Sequence, residues 1–264
     1  MTATDTLFTG SIPARYDRYL GPLLFEPYAE KAAERVRALQ PRRILEVAAG
    51  TGIVTAAVHR ALPEAELIAT DLNPAMLDVA AAKFPGGGVH FQPADALDLP
   101  FGEGEFDVVL SQFGIMFFPD KVKGMAEARR VLRDGGTCLT IIWDSLERNP
   151  VSAVLGRAVA EEFPGDPPRF LERMPFSYFD QAQIEADMRA AGLTDVAIET
   201  VEASSRVDAH AAAQGMCVGS PMSAEIAERG PDAIERAALA AERALARFDG
   251  QEVPMSALFV TATK

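Results

Sequence analysis

The sequence is poor in the side chains that most directly announce chemistry: 264 residues contain three histidines, two cysteines and one tryptophan. Cys138 and Cys217 stand 79 positions apart, which fits no zinc or redox spacing, so two reduced thiols in a cytoplasmic setting are expected. Positive charge is also scarce. Lys plus Arg number 25 against 38 Asp plus Glu, a formal net charge of −13. Binding to nucleic acid or to an anionic membrane draws on a basic surface that releases counterions, and this composition argues against both. No window approaches 18 uncharged apolar residues, the span a bilayer helix needs. The first residues, Met1 to Phe8, carry neither a basic stretch nor an apolar one, and so do not read as a secretory signal.

What is present is an alternation of short apolar runs and amphipathic stretches. Ile44–Ala48, Leu67–Asp71, Val89–Gln92, Phe106–Ser111 and Thr137–Trp143 read as strands. Helical patterns separate them: Pro27–Gln40 and Ile53–Ala61, then one opened by Asn73-Pro74 and one capped by Asp120. Strand–helix alternation at this spacing predicts βαβ units and a parallel sheet. After Asn149 prolines crowd the chain around a helical piece at Ser152–Phe163. Asp180 with Gln183 resembles a capping box for a helix ending at Gly192. A strand at Val196–Val201, helical stretches at 208–218, 221–229 and 231–248, and a last strand at Ser256–Ala262 complete the reading. The expected fold is α/β: a Rossmann-like, doubly wound, seven-stranded sheet, mostly parallel with an antiparallel last strand, carrying helical cap insertions.

Ligands of such sheets bind at the carboxyl ends of the strands, where strand order reverses. After strand one stand Glu46 and the loop Ala48-Ala-Gly50-Thr-Gly52; after strand two Asp71 and Leu72; after strand three Asp95 and Ala96; after strand four Ser111 and Gln112. Glycines let a ligand approach the backbone closely, and Asp71 follows Gly52 by 19 residues, about where a nucleotide-binding unit places its ribose acid. Alone, that pattern fits dinucleotide enzymes and other adenosine binders equally. Three features separate them. Glu46 precedes the glycines, where an ammonium group is welcome and a pyrophosphate is not. Asp95 is placed to accept from an adenine amine. The third glycine of the dinucleotide fingerprint is replaced by Val54-Thr55, and no Tyr-x-x-x-Lys pair exists.

These segments resemble the class I S-adenosylmethionine-dependent methyltransferases, in particular the small-molecule branch related to ubiquinone and menaquinone methyltransferases (methyltransferase type 11-like). Ile44–Gly52 resembles the family's first motif, Ala69–Leu77 its second, Phe91–Phe101 its third and Phe106–Gly114 the segment after strand four. Glu127–Gly136 resembles the helix and turn before strand five. One departure is Ala48, where many members carry a glycine; a tighter turn, with binding retained, is expected there.

The resemblance implies S-adenosylmethionine as cofactor. Gly50 and Gly52 would admit its methionine part, with Glu46 near the amino group. Asp71 would take the ribose hydroxyls, Leu72 and Met76 would flank the adenine, and Asp95 with the Ala96 N–H would meet its edge. Ser111 and Gln112 would line the wall near the methyl group, and Tyr16 lies in an N-terminal aromatic segment like one that closes over the cofactor in related enzymes. Phe113, Phe117 and Trp143 are the candidates for a substrate pocket. His210 and Tyr16 are the candidate catalytic side chains, and no general base is assigned. His59 reads as a surface residue and His90 as structural, and no metal set is expected.

Missing motifs narrow the acceptor. Strand four does not end in Asn-Pro-Pro-Tyr or Asp-Pro-Pro-Tyr, and no Pro-Cys dipeptide occurs, so the acceptor expected is a small molecule and not a nucleic acid. The expected activity is methyl transfer to that small molecule by in-line displacement. The rival readings are an NAD(P)-dependent oxidoreductase and a non-catalytic S-adenosylmethionine-binding protein. The expected organisation is one methyltransferase domain over 1–264. Within it lie an N-terminal cap segment at 1–40, a cofactor-binding core at 41–148, cap or substrate insertions at 149–179 and 203–250, and the rest of the sheet at 180–202 and 251–264. No membrane association is expected, and a homodimer is compatible with these features.

Overall fold

The computed structural model describes residues 12–264. Residues 1–11, part of the expected N-terminal cap segment, lie outside the described residues. The chain forms one seven-stranded sheet in the order β3-β2-β1-β4-β5-β7-β6. Its strands are β1 (Arg43–Val47), β2 (Glu66–Asp71), β3 (Val89–Pro93), β4 (Phe106–Gln112), β5 (Leu132–Trp143), β6 (Thr194–Arg206) and β7 (Glu252–Thr263). Strands β1 to β5 pair in parallel, and β7 runs antiparallel to β5. The chain first steps outward from β1 through β2 to β3, then returns to β4 beside β1 and continues the other way. That reversal is the topological switch point of a doubly wound sheet, and it lies between the carboxyl ends of β1 and β4.

The helices are α1 (Ile12–Arg15), α2 (Glu26–Ala38), α3 (Ile53–Ala61), α4 (Pro74–Ala81), α5 (Lys121–Val131), α6 (Pro150–Glu162), α7 (Phe170–Arg173), α8 (Gln181–Ala190), α9 (Ala209–Cys217), α10 (Met222–Ala227) and α11 (Ala233–Leu245). Local chemistry sets their starts. The side chains of Asn73, Asp120 and Asp208 accept from Ala75 N at 3.0 Å, Lys123 N at 2.9 Å and Ala211 N at 2.8 Å. Each satisfies an N–H that the first helical turn would leave bare. Asp180 caps α8 in the same way, accepting from Ala182 N and Gln183 N. The capping box is only half formed, because the Gln183 amide donates to Asp187 at 2.7 Å instead of reaching back.

Several boundaries differ from the sequence pattern. Tyr16–Phe25 winds as a π-helix between α1 and α2. Its Pro22 lacks the N–H of an ordinary α-ladder, and helical periodicity is correspondingly hard to see there. The expected turn at Asp134-Gly-Gly136 is instead a bulge inside β5: Leu132 pairs with Phe106, Thr137 with Val108, and Gly135 takes a φ of +71° between them. Strands β6 and β7 run beyond the apolar runs that mark them, and α7 forms inside the proline-rich stretch.

The chain divides into two compact units. One comprises Tyr28–Trp143, Tyr178–Val201 and Ala257–Lys264. Its core is the central sheet, with Ile44, Leu45, Leu110, Leu132 and Ile141 fully or almost fully buried. At the amino ends of its strands Asp107 acts as a knot: Oδ2 accepts from Arg42 N and Arg43 N at 2.8 and 2.9 Å, and Oδ1 pairs with Arg133. The other unit comprises Asp144–Ser177, Glu202–Ser256 and the described part of Met1–Pro27. Here α11 packs on α6 and α9, and α9 packs on the π-helix. A Cβ on Gly215 of α9 would meet Leu20 at 2.5 Å, so glycine permits that approach. Asp144 is held by Ser256 Oγ at 2.7 Å and Arg148 Nε at 3.0 Å, with Asn149 bonded to the Ser256 backbone on both sides.

Replacing Leu110 by alanine is expected to lower unfolding free energy by about 2–5 kcal/mol, the range for emptying a well-packed core position. The same truncation at Leu39, an exposed position, should stay within about 0.5 kcal/mol. Urea unfolding of the two variants tests this; equal losses would place the core elsewhere.

Candidate active site

The carboxyl end of β1 carries the least comfortable group in the described structure. Glu46 is 2% exposed, and its Oε2 is buried with no hydrogen-bond partner. Desolvation raises its pKa to about 8, Thr55 beside it pulls the other way, and the charge of Asp71 raises it further. Neither Glu46 Oε2 nor Thr55 Oγ1 completes a hydrogen bond.

The loop that follows turns sharply. Ala48, Gly50 and Gly52 take left-handed φ values of +56°, +56° and +76°. At Gly52 this is joined by a steric demand: a Cβ there would lie 2.8 Å from Ala80 Cβ on α4. Ala48 thus keeps the backbone of the glycine it replaces and carries its methyl group in a conformation that side chains disfavour. Helix α3 begins directly after Gly52, so its first N–H groups face the same space.

At the end of β2, Asp71 Oδ2 accepts from Gly50 N at 2.9 Å and Oδ1 from Asn73 N at 2.8 Å. Burial raises its pKa, and these two N–H groups partly offset that. Asp71 therefore folds the first glycine turn onto β2, while each carboxylate oxygen keeps acceptor capacity for a further donor. Leu72, next in sequence, is 65% exposed, and Met76 lies buried with its methyl 3.7 Å from where a Gly50 Cβ would stand. At the end of β3, Asp95 Oδ1 accepts from Leu97 N at 2.9 Å. Oδ2 of Asp95 and the N–H of Ala96 have no partner among the described residues.

A clamp that the sequence reading did not assign braces this last loop. Arg130 donates to Phe101 O at 2.7 Å and Leu99 O at 2.8 Å, and Glu127 accepts from Leu99 N at 2.9 Å. The pair sits three residues apart on α5, joined at 2.8 Å. Its signal was visible in the Glu127-Ala-Arg-Arg segment, where i,i+3 spacing puts both side chains on one helix face.

Strand β4 ends in Ser111 and Gln112, with Ser111 Oγ buried and unpartnered. Phe113 follows with φ +55° and stacks on Trp143 at 3.8 Å between centroids and 5° between planes. Tyr28 meets both rings edge-on. Phe113 and Trp143 are buried, and Phe117 is half-buried in the short 3₁₀ turn Ile115–Phe117. Glu46, Ala48, Gly50, Gly52, Asp71, Leu72, Met76, Asp95, Ala96, Ser111, Gln112 and Phe113 thus gather at one end of β1 to β4.

Tyr16 and His210 belong to the other unit. Tyr16 stacks on Phe25 at 5.0 Å. His210 is 62% exposed and pairs through Nδ1 with Glu242 at 3.0 Å. His59 packs against Phe84 and Gly88, and His90 is exposed on β3. Both cysteines are free, buried thiols raised to about 12 by desolvation. Among the described residues no group of three or more His, Cys, Asp or Glu side chains could hold a metal ion, and no helix is long and apolar enough to cross a membrane.

The strand order, the switch point and the acids at the strand ends define a Rossmann-like nucleoside-binding fold of the methyltransferase type. Solved structures agree on that fold. The YcgJ protein of Bacillus subtilis superposes with a TM-score of 0.59 at 19% identity, covering 90% of this chain and 98% of its own. Phosphoethanolamine N-methyltransferase 2 of Haemonchus contortus, in complex with S-adenosyl-L-methionine, gives 0.62 at 17% identity, covering 100% of this chain and 60% of its own.

Residues 45–140 match the family model described as a methyltransferase domain. The chain is 32% identical over 174 residues to the ubiquinone/menaquinone biosynthesis C-methyltransferase UbiE of Idiomarina loihiensis, covering 58% of this chain and 67% of that relative. It is 39% identical over 123 residues to the demethylmenaquinone methyltransferase of Chlorobaculum parvum, covering 47% and 49%. The chain spans about half the length of the demethylmenaquinone methyltransferases it matches. It belongs to the class I S-adenosylmethionine-dependent methyltransferase family.

The raised carboxyls make a pH prediction for the ligand-free protein. Glu46 keeps its proton to about pH 8 when folded and loses it near 4.5 when unfolded. Between those values the folded chain holds more protons, so stability falls as pH rises and this contribution is gone above about pH 8. Asp71 acts with the same sign. Glu46→Gln should flatten the decline between about pH 5.5 and 8.5 in urea titrations. An unchanged slope in the variant would show that Glu46 is ionised in the folded chain.

Proposed function

We propose that this chain transfers the methyl group of S-adenosylmethionine to a small-molecule acceptor by in-line displacement. The observation that carries the reading is Glu46, a buried carboxyl with an unpartnered oxygen beside a left-handed glycine turn. The ionised form of that acid is stabilised by a ligand ammonium group and would be repelled by a dinucleotide pyrophosphate, which disfavours the oxidoreductase reading.

The residues present fit the cofactor. Glu46 would hold its amino group, and Gly50 and Gly52 would let the methionine part approach the backbone. Asp71 would accept from the ribose hydroxyls with its spare lone pairs, while Leu72 and Met76 would cover the adenine faces. Asp95 Oδ2 would accept from the adenine amine, and the Ala96 N–H would donate to the ring. Bound there, S-adenosylmethionine supplies a sulfonium-activated methyl group and leaves as S-adenosylhomocysteine. Ser111 and Gln112 would form the wall beside the reacting atoms.

The protein's share of the work is then alignment and exclusion of water, which together supply on the order of 7–11 kcal/mol in well-oriented reactions. Phe113, Phe117 and Trp143 would border the acceptor pocket, and Tyr16 and His210 remain the side chains proposed to act on the acceptor or over the cofactor. The likeness to UbiE and to demethylmenaquinone methyltransferases favours a quinone-type ring as acceptor. The −13 net charge supports a small molecule over nucleic acid, and the two free thiols support a cytoplasmic setting.

Calorimetric titration with S-adenosylmethionine and, separately, with NADH tests the reading: binding of the first alone supports it, and binding of NADH alone overturns it. Asp71→Ala should weaken the cofactor by about 1–3 kcal/mol, the range for hydrogen bonds to a charged group. Wild-type affinity in that variant would move the ribose elsewhere.

A further inference from the structure

Gly114 occupies backbone that any residue adopts, with φ −99° and ψ −43°. Its missing side chain therefore answers to space and not to dihedral angle. A Cβ at 114 would lie 2.5 Å from Ala48 Cβ and 2.9 Å from Ser111 Oγ. At Ala48 the situation is reversed: φ +56° favours glycine, yet a methyl group is present and touches the turn at 114. Left-handed alanine is strained, and such strain persists only where the surroundings hold it. Phe113, immediately before Gly114, is also left-handed and is fixed by its stack on Trp143. The loops after β1 and β4, which flank the switch point, therefore meet through one methyl group.

We propose that Ala48 is a positioning residue whose methyl group, seated against Gly114, locks the Ser111–Phe113 loop to the Gly50–Gly52 loop so that both walls of the cofactor site are set as one piece. The cofactor part of this inference rests on the function proposed above; the coupling of the two loops does not. A glycine at 48 would relieve the strain but leave the turn at 114 unsupported. An alanine at 114 would drive the two loops apart and shift Phe113 on Trp143. With both exchanges the contact is restored from the opposite side, except for the approach to Ser111 Oγ.

The test is a double-mutant cycle of Ala48→Gly and Gly114→Ala with two readouts. One is affinity for S-adenosylhomocysteine. The other is ligand-free emission of Trp143, the single tryptophan of the chain. Gly114→Ala in the Ala48 background is expected to weaken S-adenosylhomocysteine about tenfold or more and to change Trp143 emission, and adding Ala48→Gly should recover affinity to within about threefold and most of the emission. Equal effects of Gly114→Ala in both backgrounds would overturn the coupling. Emission coupling with unchanged affinity would overturn the positioning role.

If the wild-type protein binds no S-adenosylhomocysteine, the proposed function fails, while the emission cycle still decides whether the loops are coupled. Should Gly114→Ala not fold, Ala48→Gly alone decides. Amide exchange of Phe117, whose N–H is held by Gly114 O at 3.0 Å, should speed up, and an unchanged rate would overturn the coupling.

Discussion

Everything at this site is arranged around a carboxyl that the fold buries and does not satisfy. Glu46 sits in β1, between β2 and β4, where its neighbours Leu45 and Val47 are buried on the opposite face of the strand. Burying an acid without a partner costs free energy, and here the cost appears as a retained proton rather than as a charge. Asp71, one strand over, leans the same way. A buried carboxyl that keeps its proton beside a second acid raised in the same direction describes a place suited to a cation, and a ligand carrying an ammonium group and a sulfonium answers that description.

The contrast between the two ends of the sheet strengthens this view. At the amino ends, Asp107 is charged and fully engaged, tying β1, β4 and the start of β5 together through Arg42, Arg43 and Arg133. The loop after β3 is likewise clamped by Glu127 and Arg130. These are structural uses of charge, in which each carboxylate has its partners. At the carboxyl ends, Glu46 Oε2, Asp95 Oδ2 and Ser111 Oγ are left over, and the backbone is left-handed at Ala48, Gly50, Gly52 and Phe113. Rigidity at one end permits unfulfilled chemistry at the other.

Much of this was legible from residue order, and the reasons are local. Five short apolar strands, the first three ending in glycine or acid, announce a parallel sheet and its binding edge, because periodicity and turn chemistry are short-range signals. Asn73, Asp120 and Asp180 declare their caps for the same reason. Other features needed the third dimension. The π-helix at Tyr16–Phe25 carries Gly21-Pro22, which reads as a helix break, and the β5 bulge reads as a turn because Asp-Gly-Gly usually makes one. The burial of Phe113 and Trp143 around Tyr28 depends on a residue 85 positions upstream of Phe113, and no spacing rule predicts it. The fit of Ala48 against Gly114 is equally long-range. Sequence marked Ala48 as a departure, and only the folded chain shows what its methyl group touches.

The most direct measurement is the proton balance of ligand binding, obtained from the heat of S-adenosylhomocysteine binding near pH 7 in buffers of different ionisation enthalpy. An ammonium group beside Glu46 favours its ionised form, so the account predicts release of close to one proton per ligand bound, abolished in Glu46→Gln. Binding without proton release, or the same release in the variant, would contradict the claim that the orphaned carboxyl of β1 is the ligand's amine site.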